Sequence, residues 1–172
     1  VIATERVQRL LQPGYASELE GRSLDELRAM HEESAQAENA LSYYRRLAQA
    51  RMEILEAERA RRERGGSVED LIADLPRILS AESGRSSITN TRGAPVTDPP
   101  VIELHWPDGR EDLVIDNTLA KLPGVSLDEL NATLESLQQF ERELSDLRSR
   151  IHVVMDVIDR VIADRRVAGT AG

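Results

Sequence analysis

The stretch "SLDELRAMHEESAQAENALSYYRRLAQARME", Ser23 to Glu53, decides the fold, because it holds a helix start, no Gly or Pro, and a counterpart 103 residues later. That counterpart is "SLDELNATLESLQQFERELSDLRSRIHVVMD", Ser126 to Asp156. In each, Ser occupies the N-cap and Glu follows three residues on (Glu26, Glu129), the reciprocal pair of a capping box, with acidic residues in the first turn to match the helix dipole. The same offset pairs Gly21 with Gly124, Ala29 with Ala132, Glu32 with Glu135, Gln36 with Gln139, Leu41-Ser42 with Leu144-Ser145 and Met52 with Met155. Composition bias among helices gives scattered matches, not a shared cap and a shared interior at one register. The chain carries an internal duplication.

Working outward, the first helix has nothing to stop it before Gly65-Gly66, and "RARRER", Arg59 to Arg64, suits the negative end of the dipole. The second runs to about residue 168, just before Gly169. The organisation read from the sequence is an N-terminal arm over 1–22, a first long helix over 23–64, a connecting segment over 65–125 and a second long helix over 126–168. Within the connection, "SVEDLIADLPRILSAE" reads as a short capped helix broken by Pro76, and "SGRSSITNTRGAPVTDPP" as a linker rich in Ser, Thr, Gly and Pro. "VIELHWPDGREDLVI" places two β-prone runs around Pro107-Asp108-Gly109, which reads as a small β-hairpin anchored by Trp106. The expected fold class is all-α dominated: two long helices in an antiparallel coiled-coil hairpin, with a short helix and a small β-hairpin in the connection.

Composition agrees. Charged residues make up 31% of the 172 positions and aromatics 3%, which fits long exposed helices better than a large globular core. The absence of Cys excludes disulfides, thiolate zinc sites and Cys nucleophiles. The apolar runs are too short for a membrane span, so a cytoplasmic protein without a membrane partner is expected. A net charge of -9 disfavours direct nucleic-acid binding and favours a basic protein partner.

The duplicated segments also share a polar spacing. Glu38, Ser42, Arg45, Gln49 and Glu53 recur as Glu141, Ser145, Arg148, His152 and Asp156. On a helix these steps fall within a sector of about 80°, a continuous stripe along the edge of an apolar seam. If the helices pair antiparallel, a pseudo-two-fold axis exchanges the stripes and creates a composite site for a two-fold symmetric ligand. A carboxylate accepts two hydrogen bonds from the N1–H and N2–H edge of guanine, and Arg engages O6 and N7 or phosphate with its planar fork. Such a row suits a molecule carrying guanine and phosphate, such as cyclic di-GMP, while leaving other symmetric nucleotides open. Read blandly, the same stripes are a solvated coiled-coil flank of i,i+4 pairs, each contributing about 0.3 kcal/mol.

At these residues the sequence resembles the RsiG family of anti-sigma factors, whose signature Glu-x3-Ser-x2-Arg-x3-Gln-x3-Asp is borne once on each long helix of an antiparallel coiled coil. Glu53 departs from the final Asp and His152 from the Gln. The resemblance implies a non-enzymatic signalling clamp. Cyclic di-GMP, taken up as two molecules by Glu38, Ser42, Arg45, Gln49, Glu53, Glu141, Ser145, Arg148, His152 and Asp156, would stabilise the hold on a sporulation sigma factor of the WhiG type and keep it from RNA polymerase. The competing expectation is a structural coiled-coil adaptor with no small-molecule ligand. An enzyme acting on cyclic dinucleotides is disfavoured because the sequence shows no metal-ligand cluster: "MHEES" from Met30 lacks the second His of a zinc-binding helix.

Overall fold

The computed structural model describes residues 5–17, 19–67, 69–74, 76, 100, 103–115, 122 and 124–170. Its helices are α1 (Glu5–Leu10), α2 (Leu24–Arg64), α3 (Asp112–Ile115) and α4 (Leu127–Thr170), with a 3-10 turn at Leu19–Gly21. Both capping boxes form. Ser23 donates its backbone N–H to Glu26 at 2.7 Å and Glu26 returns one to the Ser23 hydroxyl at 3.2 Å; for Ser126 and Glu129 the distances are 2.9 and 3.2 Å. These bonds hold the Glu26 and Glu129 carboxyls below the ordinary Glu range, the backbone donation being the larger effect. Gly65 ends α2 with φ 68°, a left-handed conformation that glycine adopts without cost.

The two long helices pack together through a heptad row. Leu130, Leu137, Leu144, Ile151 and Ile158 on α4 are all buried, and so is the equivalent row Leu27, Ser34, Leu41, Ala48 and Leu55 on α2. Ser34 fits this row because its hydroxyl donates to the Met30 carbonyl at 2.9 Å. A second buried row runs beside it, Ala37, Tyr44 and Arg51 on α2 and Phe140 and Leu147 on α4, and next to that row Glu38 and Arg45 on α2, Glu141 and Arg148 on α4, half-buried and seven residues apart, form a charged flank.

The chain divides into two compact units. Unit one takes the described residues of Val1–Tyr43, Asp98–Gly109 and Leu144–Gly172, and unit two those of Tyr44–Thr97 and Arg110–Glu143. In unit one, Leu19, Leu27, Ile158 and Ile162 form a core on which Tyr15, Leu24, Met30, Val154, Val157 and Val161 pack. As α2 ascends from His31 to Glu38, its partners on α4 descend from Asp159 to Arg148, so the helices run antiparallel there. In unit two, Arg45 meets Glu141 while Arg62 reaches the carbonyls of Leu122 and Val125, again in opposite chain directions.

The connection departs from expectation. Among the described residues there is no strand. Leu104 and Trp106 are buried between exposed Glu103 and His105, and Gly109, φ 66°, closes a turn by donating to the Trp106 carbonyl at 2.9 Å. The second β-prone run then coils into α3, its Leu113, Val114 and Ile115 N–H groups satisfied by the carbonyls of Arg110 and Glu111. Val114 is the one buried apolar residue of that turn, and a single anchored side chain with locally satisfied N–H groups needs no partner strand. Residues 69–74 are helical and capped by Ser67, which exchanges bonds with Asp70 at 2.8 and 3.2 Å. The linker expected over 83–100 lies outside the described residues except at residue 100, as does the helical continuation after Pro76. No helix among the described residues is long and apolar enough to cross a membrane.

Candidate functional site

The polar stripes form two clusters, one in each unit. In unit one the Glu38 Oε1 atom accepts from Arg148 Nε at 2.7 Å and from the Ser42 hydroxyl at 2.9 Å, and lies 3.2 Å from His152 Nε2. Burial opposes ionisation of Glu38, but donation from Arg148 and Ser42, together with the charges of Arg148 and His152, outweighs it and holds the carboxyl below its usual range. In unit two, Glu141 Oε1 accepts from Arg45 Nε at 2.8 Å and from the Gln49 amide at 3.1 Å.

The clusters repeat one pattern with the copies exchanged. Each places the carboxylate of one copy against the Arg of the other, with Gln49 and His152 in equivalent roles. His152 replaces an amide with a ring that accepts or donates according to its proton. Ser145 is half-buried one turn after Glu141, and Asp156 is exposed one turn after His152. Glu53 is half-buried, and its Oε2 is enclosed without a hydrogen-bond partner. Asn39 Oδ1, beside Glu38 in sequence, is in the same condition. A buried carboxylate oxygen lacking a donor costs free energy that a ligand's N–H group would recover.

Other candidates resolve differently. Tyr44 is buried, as packing on the apolar seam requires, and Tyr43 is half-buried. His31 sits 3.2 Å from Asp159. In the Arg-rich end of α2, Arg61 and Arg62 are engaged by Glu58, which is only 2% exposed. Donation from Arg61, opposed by burial and reinforced by Arg62, holds the Glu58 carboxyl low.

Sequence reasoning also missed a pair of arginines outside the aligned window. Arg62 donates to the carbonyls of Leu122 and Val125, each at 2.6 Å, and Arg165 donates to those of Leu19, Glu20 and Arg22. The offset of 103 turns Leu19 into Leu122, Arg22 into Val125 and Arg62 into Arg165, so these are the same contact made twice. The duplication therefore spans Leu19 to Arg62, and the Leu19/Leu122 and Arg62/Arg165 identities were its available signal.

The architecture is that of a paired-helix protein with charged layers along its seam. Comparison with known proteins narrows the class: a family model described as RsiG-like matches residues 13–79, a stretch that contains the entire first stripe. Over these residues the chain is similar to the RsiG-like family, whose members are regulators of the anti-sigma factor type. The second stripe lies beyond the matched residues and is linked to the first by the duplication. No curated protein matches the chain.

Proposed function

We propose that this chain is an anti-sigma factor whose hold on a sporulation sigma factor of the WhiG type is controlled by cyclic di-GMP. The observation that carries the reading is the recurrence of one cluster in both units, a Glu from one copy joined to the Arg and the amide or imidazole of the other, in a chain whose first copy lies within the RsiG-like match. Glu38 and Glu141 supply acceptors for a guanine edge, Arg45 and Arg148 supply forks for phosphate or for O6 and N7, and Ser42, Ser145, Gln49 and His152 complete polar contacts. Glu53 offers an acceptor that is already enclosed and unpartnered, and Asp156 is its counterpart. Nucleotide that binds the complexed form more tightly shifts the equilibrium toward sequestration, by about 2.7 kcal/mol at ~100 times its dissociation constant. The net negative charge suits a basic sigma surface.

Calorimetric titration of the chain with cyclic di-GMP, alone and with the sigma factor, tests this. Saturable binding that Arg45→Ala and Arg148→Ala each weaken, together with nucleotide-dependent capture of the sigma factor, is the expected result. A second reading, a coiled-coil adaptor without a ligand, draws on the fact that the Glu–Arg layers already satisfy one another; polar residues at seam positions specify register by themselves. Under that reading heat evolution is absent and both Arg variants bind partners normally.

A further inference from the structure

The apolar row of the seam does not fix its own register. Apart from Ser34 its residues are apolar and recur every seven positions on both helices, so a slip of one heptad leaves most of the row packed against apolar side chains. The same slip takes Glu38 away from Arg148 and sets it opposite Glu141 or Met155, the residues seven positions to either side in its row. That exchange already penalises the slip, but the charged layers sit in mid-helix, far in sequence from the ends where fraying begins and where a hold of another kind is needed.

We infer that Arg62 and Arg165 are register clamps, positioning residues that each pin the last turns of one long helix onto the turn opening the other, Arg165 serving the Glu38 cluster and Arg62 the Glu141 cluster. The geometry is specific to a guanidinium. Both Nη atoms of Arg62 are spent on carbonyls three residues apart, 2.6 Å from Leu122 O and 2.6 Å from Val125 O, while its Nε is held 2.5 Å from Glu58. Arg165 likewise spends both Nη atoms on carbonyls, those of Leu19, Glu20 and Arg22. In both places the accepting segment is a turn closed by its own bond of 3.2 Å, Arg22 N–H to Leu19 and Val125 N–H to Leu122, immediately before the N-cap. A shift of one helix by a heptad, about 10 Å along the axis, removes those carbonyls from reach and leaves them without donors. Lys has one donor head and does not span the pair. Clamp and cluster lie in one unit in each case: Arg165 and Glu38 in unit one, Arg62 and Glu141 in unit two.

The chain has no cysteine, so spin labels go only where cysteines are introduced. Labels at exposed Ala29 and Arg160 report on unit one, and at exposed Glu56 and Ala132 on unit two. Pulsed electron resonance on the full chain should give one narrow distance for each pair. Each long helix runs through both units, so a slip displaces both pairs: Arg165→Ala should broaden the 29/160 distribution or add a population displaced by up to about 10 Å and move the 56/132 pair in the same sense; Arg62→Ala should act likewise, the double variant more strongly than either, and Arg165→Lys should not restore the parent distance. An unaltered 29/160 distribution in Arg165→Ala, or distributions in the double variant no broader than those of the parent, overturns the assignment. Should Arg165→Ala lose its helical circular dichroism, Arg165→Lys carries the comparison under the same criteria. A nucleotide readout rests on the function proposed above: if one chain in ten keeps the native register, apparent affinity for cyclic di-GMP falls about tenfold. Failure of the parent chain to bind nucleotide would refute that function and leave the distances to decide the clamps.

Discussion

Arg148 Nε lies 2.7 Å from Glu38 Oε1, and the equivalent atoms of Arg45 and Glu141 are 2.8 Å apart. Two copies of a segment, diverged at most positions, both keep this crossing. The contact joins opposite copies both times, so each copy alone lacks it.

Removing one partner should therefore cost more than an exposed ion pair is worth. Arg148 and Glu38 are 24% and 17% exposed at the side chain, and Arg148→Ala strands a half-buried carboxylate. The expected loss is about 2 kcal/mol by urea denaturation, with Glu38→Gln in a double-mutant cycle recovering part of it. Loss below about 0.5 kcal/mol, the level of a solvated pair, would count against a structural role for the layer.

Glu53 should show the opposite sign. Its Oε2 is buried without a donor, so Glu53→Met is expected to raise stability by about 1 kcal/mol while weakening nucleotide binding. Thermal melting and ligand titration of the same sample check both halves. A variant that melts lower shows that the carboxylate is satisfied in solution.

Acid should loosen the Glu38 cluster. Because the folded chain holds the Glu38 carboxyl below the ordinary Glu value of 4.5, its stabilisation is complete above that pH and is lost as pH falls through the lower folded value, where the unfolded chain has already taken up its proton. Urea midpoints measured from pH 6 downward should fall below about pH 4.5, and Glu38→Gln should make the fall shallower. Equal slopes for both chains would remove Glu38 from the account.

The caps are independent of all this. Ser23→Ala and Ser126→Ala each delete the acceptor used by Glu26 or Glu129, and each should cost about 1 kcal/mol, additively, because the two sites share no partner.

How much of this the sequence disclosed follows from the range of the forces involved. Capping boxes, heptad rows and the stripe spacing are local, and Ser23, Ser126, Glu38 and Glu141 were legible because residues a few positions apart set their geometry. The pairing of Glu38 with Arg148 needed only the added premise of antiparallel helices. Arg62 and Arg165 were not legible: their partners are backbone carbonyls, which every residue has, and only the duplication extended past Glu53 would have revealed them. The second β-prone run misled for a related reason. Val and Ile favour strands when another strand is present to accept them, and here locally satisfied N–H groups make α3 instead.

The interleaved composition of the units carries a consequence for biosynthesis. Unit two is complete once Glu143 has left the ribosome, whereas unit one joins the first half of α2 to Leu144 and beyond. Nascent α2 must therefore wait with its apolar row uncovered along its first half, and vectorial translation closes the Arg45–Glu141 crossing before the Glu38–Arg148 one.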